Sequence, residues 1–455
     1  MIATAWFLAA LIVAAPLFAL VDSPVIQGVV VVVAAVALAA TARVDAGGQA
    51  EHPRKSARRV VWCLVIPAIW MMIQTAPMSL HILAHPIWAS AELALGSSVT
   101  GGIGVDRGAA LIALTRYLGL VAIVLAAMTV AADRQRAERM LLVLTGATTA
   151  MAILLLASPL TAGLQVFAMF AMEEGSSLGI RSGLIGGSSL GVIAGIAMAQ
   201  RGLERYQGRR PNVSLSRARP ALFVAAGLGA VAICWFALQA IATPAQCFVA
   251  ACGLVMMVLV AIAKRLRLGS AASAAIAAVA IIVAVTLATS RPNADGDLTL
   301  RFADVATPQR AITERMLADA GWAGSGPGGL AALTPVYRAA DELALVPVAR
   351  TSAAEIAVDL GVPALWVIVI MALAATWFLL EGAMRRGRDS FYPSAGASTI
   401  LVLTLQSFVD ASLLGTVVPL LAAAILGIGM AQSVGRGAQG AMARSEIRRP
   451  ALAAS

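Results

Sequence analysis

Charged residues are scarce in this sequence, and their scarcity excludes a water-soluble protein. Only 12% of the 455 residues are charged, whereas a soluble globular domain has about 25%. Aromatic residues make up 5% of the chain, and it contains three histidines. The mean hydropathy is +0.88, so we expect lipid rather than water to be the main solvent of this chain.

Cysteine is also rare, and the positions of the cysteines exclude two further classes. Cys63, Cys234, Cys247 and Cys252 all lie inside apolar runs. A disulfide framework or a zinc site places cysteines at short, regular spacings in polar segments. The cysteine positions therefore predict neither a disulfide framework nor a zinc site, and no cofactor is expected.

Long apolar runs separated by short polar loops make up most of the sequence. About 20 apolar residues suffice for a helix to cross a bilayer. We predict an all-α polytopic membrane protein with about 12 transmembrane helices. The predicted spans are Thr4–Leu20, Val25–Ala42, Val60–Ser79, Gly108–Ala131, Met140–Ala157, Gly183–Ala199, Ala221–Ala242, Ala245–Ala263, Ser270–Thr289, Val362–Leu380, Ala395–Val409 and Leu413–Met430.

The basic residues predict the orientation. Most of the 33 lysines and arginines lie in alternate loops, and such loops face the cytoplasm. Both termini are then cytoplasmic in a bacterial inner membrane. The formal charge of +10 is explained by these loops, so no nucleic-acid partner is expected. The chain divides into nine spans (1–289), a periplasmic loop (290–361), three spans (362–431) and a cytoplasmic tail (432–455).

The periplasmic loop is the one long polar segment. Thr307–Ala320 has the capping residue and apolar period of a helix, which carries Arg310 and Arg315. A second short helix is predicted to begin near Thr351. Between them lies a glycine-rich turn whose backbone amides, with arginine side chains, can hold an anion. The amides in question belong to Gly324, Gly326 and Gly328.

Charged or titratable residues near the predicted outer side supply further candidates. Arg116 lies within the fourth span and requires a partner or an aqueous cavity; it either pairs for architecture or contacts an anionic headgroup. His81 and His85 serve as interfacial anchors or in acid–base chemistry. Asp410 either caps the last helix or faces the same cavity as Arg116, and Arg181 lies in the second outer loop.

Three glycines of the sixth span recur every fourth residue. Gly187, Gly191 and Gly195 lie on one helix face and allow a neighbouring helix to approach closely. Close packing within the bundle is the first interpretation, and homodimerisation is the alternative.

The order of these elements resembles a known family. An outer-side arginine (Arg310), a Gly-x-Gly-x-Gly turn (Gly324 to Gly328) and a helix running from Glu355 to Asp359-Leu360-Gly361 stand in this order before a span. In a 12-span protein this order resembles the O-antigen ligase and O-antigen polymerase superfamily. The segment around His85 is similar to the first outer loop of relatives in exopolysaccharide and lipopolysaccharide export.

The resemblance implies a periplasmic-face glycosyltransferase. Its donor would be a polyprenyl-diphosphate-linked glycan, and its acceptor another lipid-linked glycan or lipid A–core, without nucleotide sugar or metal. By position, Arg310 matches the loop arginine of the family, which would neutralise the diphosphate. Further candidates for binding the diphosphate are Arg315, Arg116, Arg350 and Arg181, with Gly324, Gly326 and Gly328. The implied candidates for the base are Glu355, Asp359, His85 and Asp410.

One departure from the family pattern leaves alternatives open. Ligases of this family place a histidine just before the second loop helix, where this chain has Ala349-Arg350-Thr351-Ser352. Another residue then acts as base, or the chain belongs to a polymerase branch, or it is a non-catalytic paralogue. The alternative from another class is a membrane transporter or lipid-linked glycan flippase.

Overall fold

The computed structural model describes residues 2–45, 51–76, 85–98, 101–161, 176–207, 218–266, 299–300, 307–319, 321–337, 351–386 and 389–434. All regular structure in these ranges is helical. The helices are α1 (Ile2–Leu20), α2 (Pro24–Asp45), α3 (Glu51–Thr75), α4 (Ile87–Leu95), α5 (Arg107–Val130), α6 (Arg134–Thr161), α7 (Ser176–Gln207), α8 (Ala218–Ile241), α9 (Pro244–Arg265), α10 (Thr307–Asp319), α11 (Gly329–Tyr337), α12 (Ser352–Leu360), α13 (Val362–Arg385), α14 (Phe391–Ser407) and α15 (Val417–Val434), with a 3₁₀ turn at Ser412–Leu414.

Eight of the described helices are long and apolar enough to cross a membrane. These are α1, α2, α5, α6, α7, α8, α9 and α13. Large apolar side chains are exposed along their outer surfaces, for example Trp6 (72%), Val25 (75%) and Ile370 (63%). Lipid provides the apolar surroundings that such side chains require. The protein is therefore a multi-pass helical membrane protein.

The remaining four predicted spans are not among these eight helices. Shorter apolar helices cover Cys63–Thr75 within α3 and Val417–Ser433 within α15, and α14 occupies most of the predicted Ala395–Val409 span. The predicted span Ser270–Thr289 lies outside the described residues. The total of 12 spans consequently remains a prediction.

Helix α7 lies at the centre of the bundle, and 89% of its apolar window is buried. A methyl group added at Gly191 would lie 2.6 Å from the Cys234 sulfur on α8 and 3.0 Å from Thr148 on α6. At Gly195 it would lie 2.9 Å from the Gly227 carbonyl oxygen on α8. The glycine face of α7 thus packs inside the chain, as the first interpretation predicted.

Helix α14 is also enclosed by protein. Every residue from Phe391 to Val402 is buried, and α14 packs against α7, α9, α13 and α15. Polar residues on this helix, such as Ser398 and Thr399, are completely buried. The last third of the chain therefore contributes a central helix to the bundle.

Helices α10, α11 and α12 form a small helical layer, here called the cap, at one end of the bundle. Their apolar faces share a core that includes Ile312, Met316, Leu333, Ala357 and Val358. The predicted helices near Thr307 and Thr351 are confirmed. The prediction of only two cap helices was wrong, because α11 follows the glycine-rich turn directly.

Asp359, at the end of α12, joins the parts of the cap. Its carboxylate accepts hydrogen bonds from the amides of Gly328 (2.8 Å) and Leu330 (2.9 Å). Its carbonyl oxygen accepts from Gly326 N (2.8 Å) and from Gln74 Nε2 of α3 (3.1 Å). One residue thus fixes the first turn of α11 and ties the cap to the bundle.

We predict that Asp359→Asn destabilises the protein by weakening the attachment between α11, α12 and the bundle. An asparagine side chain retains one acceptor but presents an amide NH₂ to a backbone N–H, so one buried hydrogen bond is lost. Leaving a buried donor unsatisfied costs about 1–3 kcal/mol. Thermal unfolding of the purified protein in detergent measures the effect. Asp319→Asn, at an exposed carboxylate that accepts from Tyr337, is the control, and an equal loss in both variants would contradict the assignment.

Candidate functional site

Arg116 lies toward the cap end of the bundle and has a hydrogen-bond partner from a distant part of the sequence. Arg116 lies in the first half of α5, and its Nη2 donates to the Leu414 carbonyl oxygen over 2.6 Å. The negative charges of Asp22 and Glu355 act on its guanidinium. A charged side chain within a span requires such partners, and this arrangement meets the expectation for Arg116.

Glu355 lies in the first turn of α12 and is half-buried. Thr351 caps this helix, since its hydroxyl accepts from Ala354 N over 3.1 Å. Thr351 also donates its hydroxyl hydrogen to the Thr299 carbonyl oxygen over 2.8 Å. The N-terminus of α12 favours negative charge, so the helix supports a carboxylate at position 355.

Asp410 holds the beginning of α12 through its backbone. Its carbonyl oxygen accepts from both the amide (2.9 Å) and the hydroxyl (3.1 Å) of Ser352. Its carboxylate accepts from Gln246 Nε2 (2.8 Å), Gln406 Nε2 (3.2 Å) and Ser412 N (2.9 Å). The prediction that Asp410 caps the last helix was wrong, because α15 begins at Val417.

The two described cap arginines make their contacts within α10. Arg310 Nε donates to Glu314 over 2.8 Å within α10. Arg315 is exposed and donates to the Ala311 carbonyl oxygen over 3.3 Å. Arg350 and His81 lie outside the described residues. The diphosphate-binding role of these arginines therefore stays a prediction.

The amides of the glycine-rich turn already have acceptors within the protein. Gly324 N donates to the Gly321 carbonyl oxygen, Gly326 N to the Asp359 carbonyl oxygen and Gly328 N to the Asp359 carboxylate. All three glycines have positive φ, from 72° to 85°, which side chains rarely tolerate. The glycines thus make the turn that holds α11 on α12, and their amides are occupied by these contacts.

His85 precedes α4, where its side chain binds backbone. Its Nδ1 accepts from Ile87 N over 3.3 Å, so the ring proton lies on Nε2. Its own amide donates to the Gly102 carbonyl oxygen over 3.1 Å. Burial lowers the pKa of His85 below its usual value. The arrangement favours a neutral imidazole.

Arg181, near the beginning of α7, binds the C-terminal end of another helix. Its Nη2 donates to the Ile241 carbonyl oxygen at the C-terminus of α8 over 2.8 Å. A cation at a helix C-terminus complements the helix dipole. This contact gives Arg181 a structural role.

A second charged cluster, here called the Asp389 network, lies at the opposite end of the bundle. Asp389 accepts from Arg201 (2.6 Å) and Arg134 (2.9 Å). Glu138 accepts from Arg201 (3.2 Å) and from Arg205. The network joins α6 and α7 to the segment before α14, and Arg201 is buried within it.

The Asp389 network was not predicted, because the predicted span Gly183–Ala199 ends before Arg201 and leaves it in a loop. Helix α7 continues to Gln207, eight residues beyond the predicted end of that span. Arg201 and Arg205 are one helical turn apart, as are Arg134 and Glu138. This i, i+4 spacing places the members of each pair on one helix face, but the charges that meet belong to different helices, which the spacing does not reveal.

No family model matches the chain, and neither a curated protein nor a solved structure is detectably similar to it.

We predict that Asp389→Asn destabilises the protein strongly. The substitution removes a charge that the buried Arg201 requires, and breaking a buried ion pair costs about 3–5 kcal/mol. The matched control is Asp133→Asn, because Asp133 pairs with Arg136 at the exposed end of α6. Thermal unfolding in detergent compares the two, and a small effect at Asp389 would show that the network is dispensable.

We also predict that acidification destabilises the protein in part through His85. Its pKa is lower in the folded protein than in the unfolded chain, so the unfolded chain binds more protons between these two values. The contribution is complete above the unfolded value of about 6.5 and falls as the pH decreases through the folded value. The pH dependence of Tm should be shallower in His85→Asn; identical slopes would contradict this.

Proposed function

We propose that the protein is a glycan transferase that acts at the periplasmic end of its helical bundle, where the cap lies. The donor is a polyprenyl-diphosphate-linked glycan, and the acceptor is another lipid-linked glycan or lipid A–core. The observation that carries the proposal is the position of Arg116, a cation inside a span on which the negative charge of Glu355 on the cap acts. A lipid diphosphate requires a cation at membrane level, and glycosyl transfer requires a base beside it.

The positions of Arg116 and Glu355 support this chemistry. Arg116 is anchored by one guanidinium nitrogen to Leu414, which leaves its remaining N–H groups to be shared between carboxylates and substrate. Glu355 lies on a short capped helix that is bonded to the backbone of Asp410. Catalytic groups on a rigid helix keep their geometry better than groups on a loop.

In the proposed reaction, the acceptor hydroxyl oxygen attacks the anomeric carbon of the donor glycan. The bond from that carbon to the diphosphate oxygen breaks, and polyprenyl diphosphate leaves with the bonding electrons. Glu355 accepts the hydroxyl proton, and Arg116 stabilises the negative charge of the diphosphate. Arg310 of the cap is assigned to the glycan diphosphate by resemblance, after release from Glu314.

The orientation proposed here follows the basic loops. The end that carries the Asp389 network has Arg134, Arg201, Arg205 and Arg385 at or near its helix ends, and cytoplasmic ends are rich in arginine. The cap end is then periplasmic in a bacterial inner membrane, and both termini are cytoplasmic.

The function is tested in cells that lack the protein and carry it back as wild type, Glu355→Gln or Arg116→Ala. Surface polysaccharide is separated on gels, and polyprenyl-linked glycans are quantified. We expect both variants to lose transfer by at least about 100-fold, the usual contribution of a positioned base. Single repeats on core would indicate a polymerase, and bare core with long lipid-linked glycans would indicate a ligase.

Glu381→Gln is the matched control, because Glu381 is a carboxylate paired with Arg385 on the exposed end of α13. It should retain wild-type transfer at equal expression. Unchanged glycan pools in the null strain, or full activity of Glu355→Gln, would refute the transferase. A lipid-linked glycan that accumulates only on the cytoplasmic face would instead indicate a flippase.

A further inference from the structure

The carboxylate of Asp410 is surrounded by neutral donors in the part of the chain that the structure describes. Its hydrogen bonds come from two glutamine amides and one backbone N–H. The carboxylates whose charges act on the nearby Arg116 are those of Asp22 and Glu355. A carboxylate that has only neutral donors keeps its negative charge uncompensated.

Two further oxygen atoms beside Asp410 have no hydrogen-bond partner among the described residues. They are Gln406 Oε1 and Ser412 Oγ, and both residues are 1% exposed. Gln406 Nε2 and Ser412 N both bind the Asp410 carboxylate, so the two orphaned oxygens lie within a side chain's length of it. Buried polar atoms without partners are rare and costly.

Gly186 of α7 faces the same spot. A methyl group added there would lie 3.2 Å from Gln406 Nε2 and 3.2 Å from the Ser412 β-carbon. The same methyl group would lie 2.6 Å from a Val418 methyl group, so a glycine at this point leaves room for the Val418, Gln406 and Ser412 side chains against the α7 backbone. The oxygen cluster is therefore bounded by the α7 backbone as well as by the segment between α14 and α15.

The position in the fold also favours a cation. The cluster lies at the C-terminus of α14, which ends at Ser407, and a helix C-terminus carries partial negative charge. The unwound segment that follows already binds one cation, since the Leu414 carbonyl oxygen accepts from Arg116. Broken helices in membrane proteins coordinate sodium in this way, through carbonyl oxygens and helix C-terminal ends.

We propose that Asp410, Gln406 and Ser412 form a binding site for a monovalent cation, with sodium as the fitting ion. One carboxylate neutralises one positive charge, and neutral oxygens complete the shell. Divalent ions prefer several carboxylates, and no group of three or more His, Cys, Asp or Glu side chains in the described ranges could hold a metal ion.

The ion in this site acts on the cap. Because the Asp410 carbonyl oxygen bonds Ser352 at the beginning of α12, a cation that orders residues 406–412 also orders the helix that carries Glu355. The site is independent of the transfer reaction: it stands on the oxygen cluster alone, and sodium binding would persist if Glu355 had no catalytic role.

Thermal unfolding of the full-length protein in detergent tests the site. Sodium chloride is titrated against choline chloride at constant ionic strength, and radioactive sodium binding is measured in parallel. We expect a saturable rise of several degrees in Tm and a single class of sodium sites in the wild type. Asp410→Asn and Gln406→Met should abolish both, and Gly186→Ala should weaken them.

Ser398→Ala and Thr399→Val are the matched controls, because these two hydroxyls are also buried on α14 and also have no hydrogen-bond partner within the described ranges. They should keep the sodium response. If Asp410→Asn does not fold, Ser412→Ala provides the comparison. No sodium dependence of Tm in the wild type, or an equal response in Asp410→Asn, would overturn the proposal. Stabilisation by acid alone, without any alkali cation, would identify a proton and also overturn it.

Discussion

Charge carried into an apolar interior must find its counter-charge within the protein, because lipid offers no hydrogen bonds. This constraint organises both ends of the bundle. Arg116 of α5 donates a hydrogen bond to the segment after α14, and the charge of Glu355 on the cap helix α12 acts on its guanidinium. Arg201 of α7 forms ion pairs with Glu138 of α6 and with Asp389 in the segment before α14. The central helix α14 thus has an arginine centre at each of its two ends, with Arg201 buried and Arg116 half-buried.

The two centres differ in how completely they are paired. In the Asp389 network, carboxylates and guanidinium groups bind one another directly at both Asp389 and Glu138. At the cap end, Arg116 shares its charge with Asp22 and Glu355, and Asp410 binds only neutral donors among the described residues. Direct ion pairs suit a structural role, whereas a carboxylate with only neutral donors, such as Asp410, suits a cationic ligand. Function is therefore proposed at the cap end.

Apolar periodicity predicted most of the helices, because a run of about 20 apolar residues has few alternatives in a bilayer. The same periodicity ended the span of α7 too early, at Ala199, whereas the helix continues to Gln207. Without a known partner, the charged Arg201 was assigned to a loop. The cap helix α11 was missed because its beginning depends on Asp359, a residue distant in sequence. The hydrogen bond from Arg116 to the Leu414 carbonyl oxygen is likewise a tertiary contact that no local pattern encodes.

The most direct measurement is glycan transfer by the purified protein in liposomes, with a polyprenyl-diphosphate-linked glycan as donor and a lipid-linked acceptor. The account predicts release of polyprenyl diphosphate and growth of the acceptor by the wild type and by Glu381→Gln. It predicts a loss of at least about 100-fold in Glu355→Gln. Equal transfer by wild type and Glu355→Gln, or no transfer to any lipid-linked acceptor or to lipid A–core, would contradict it.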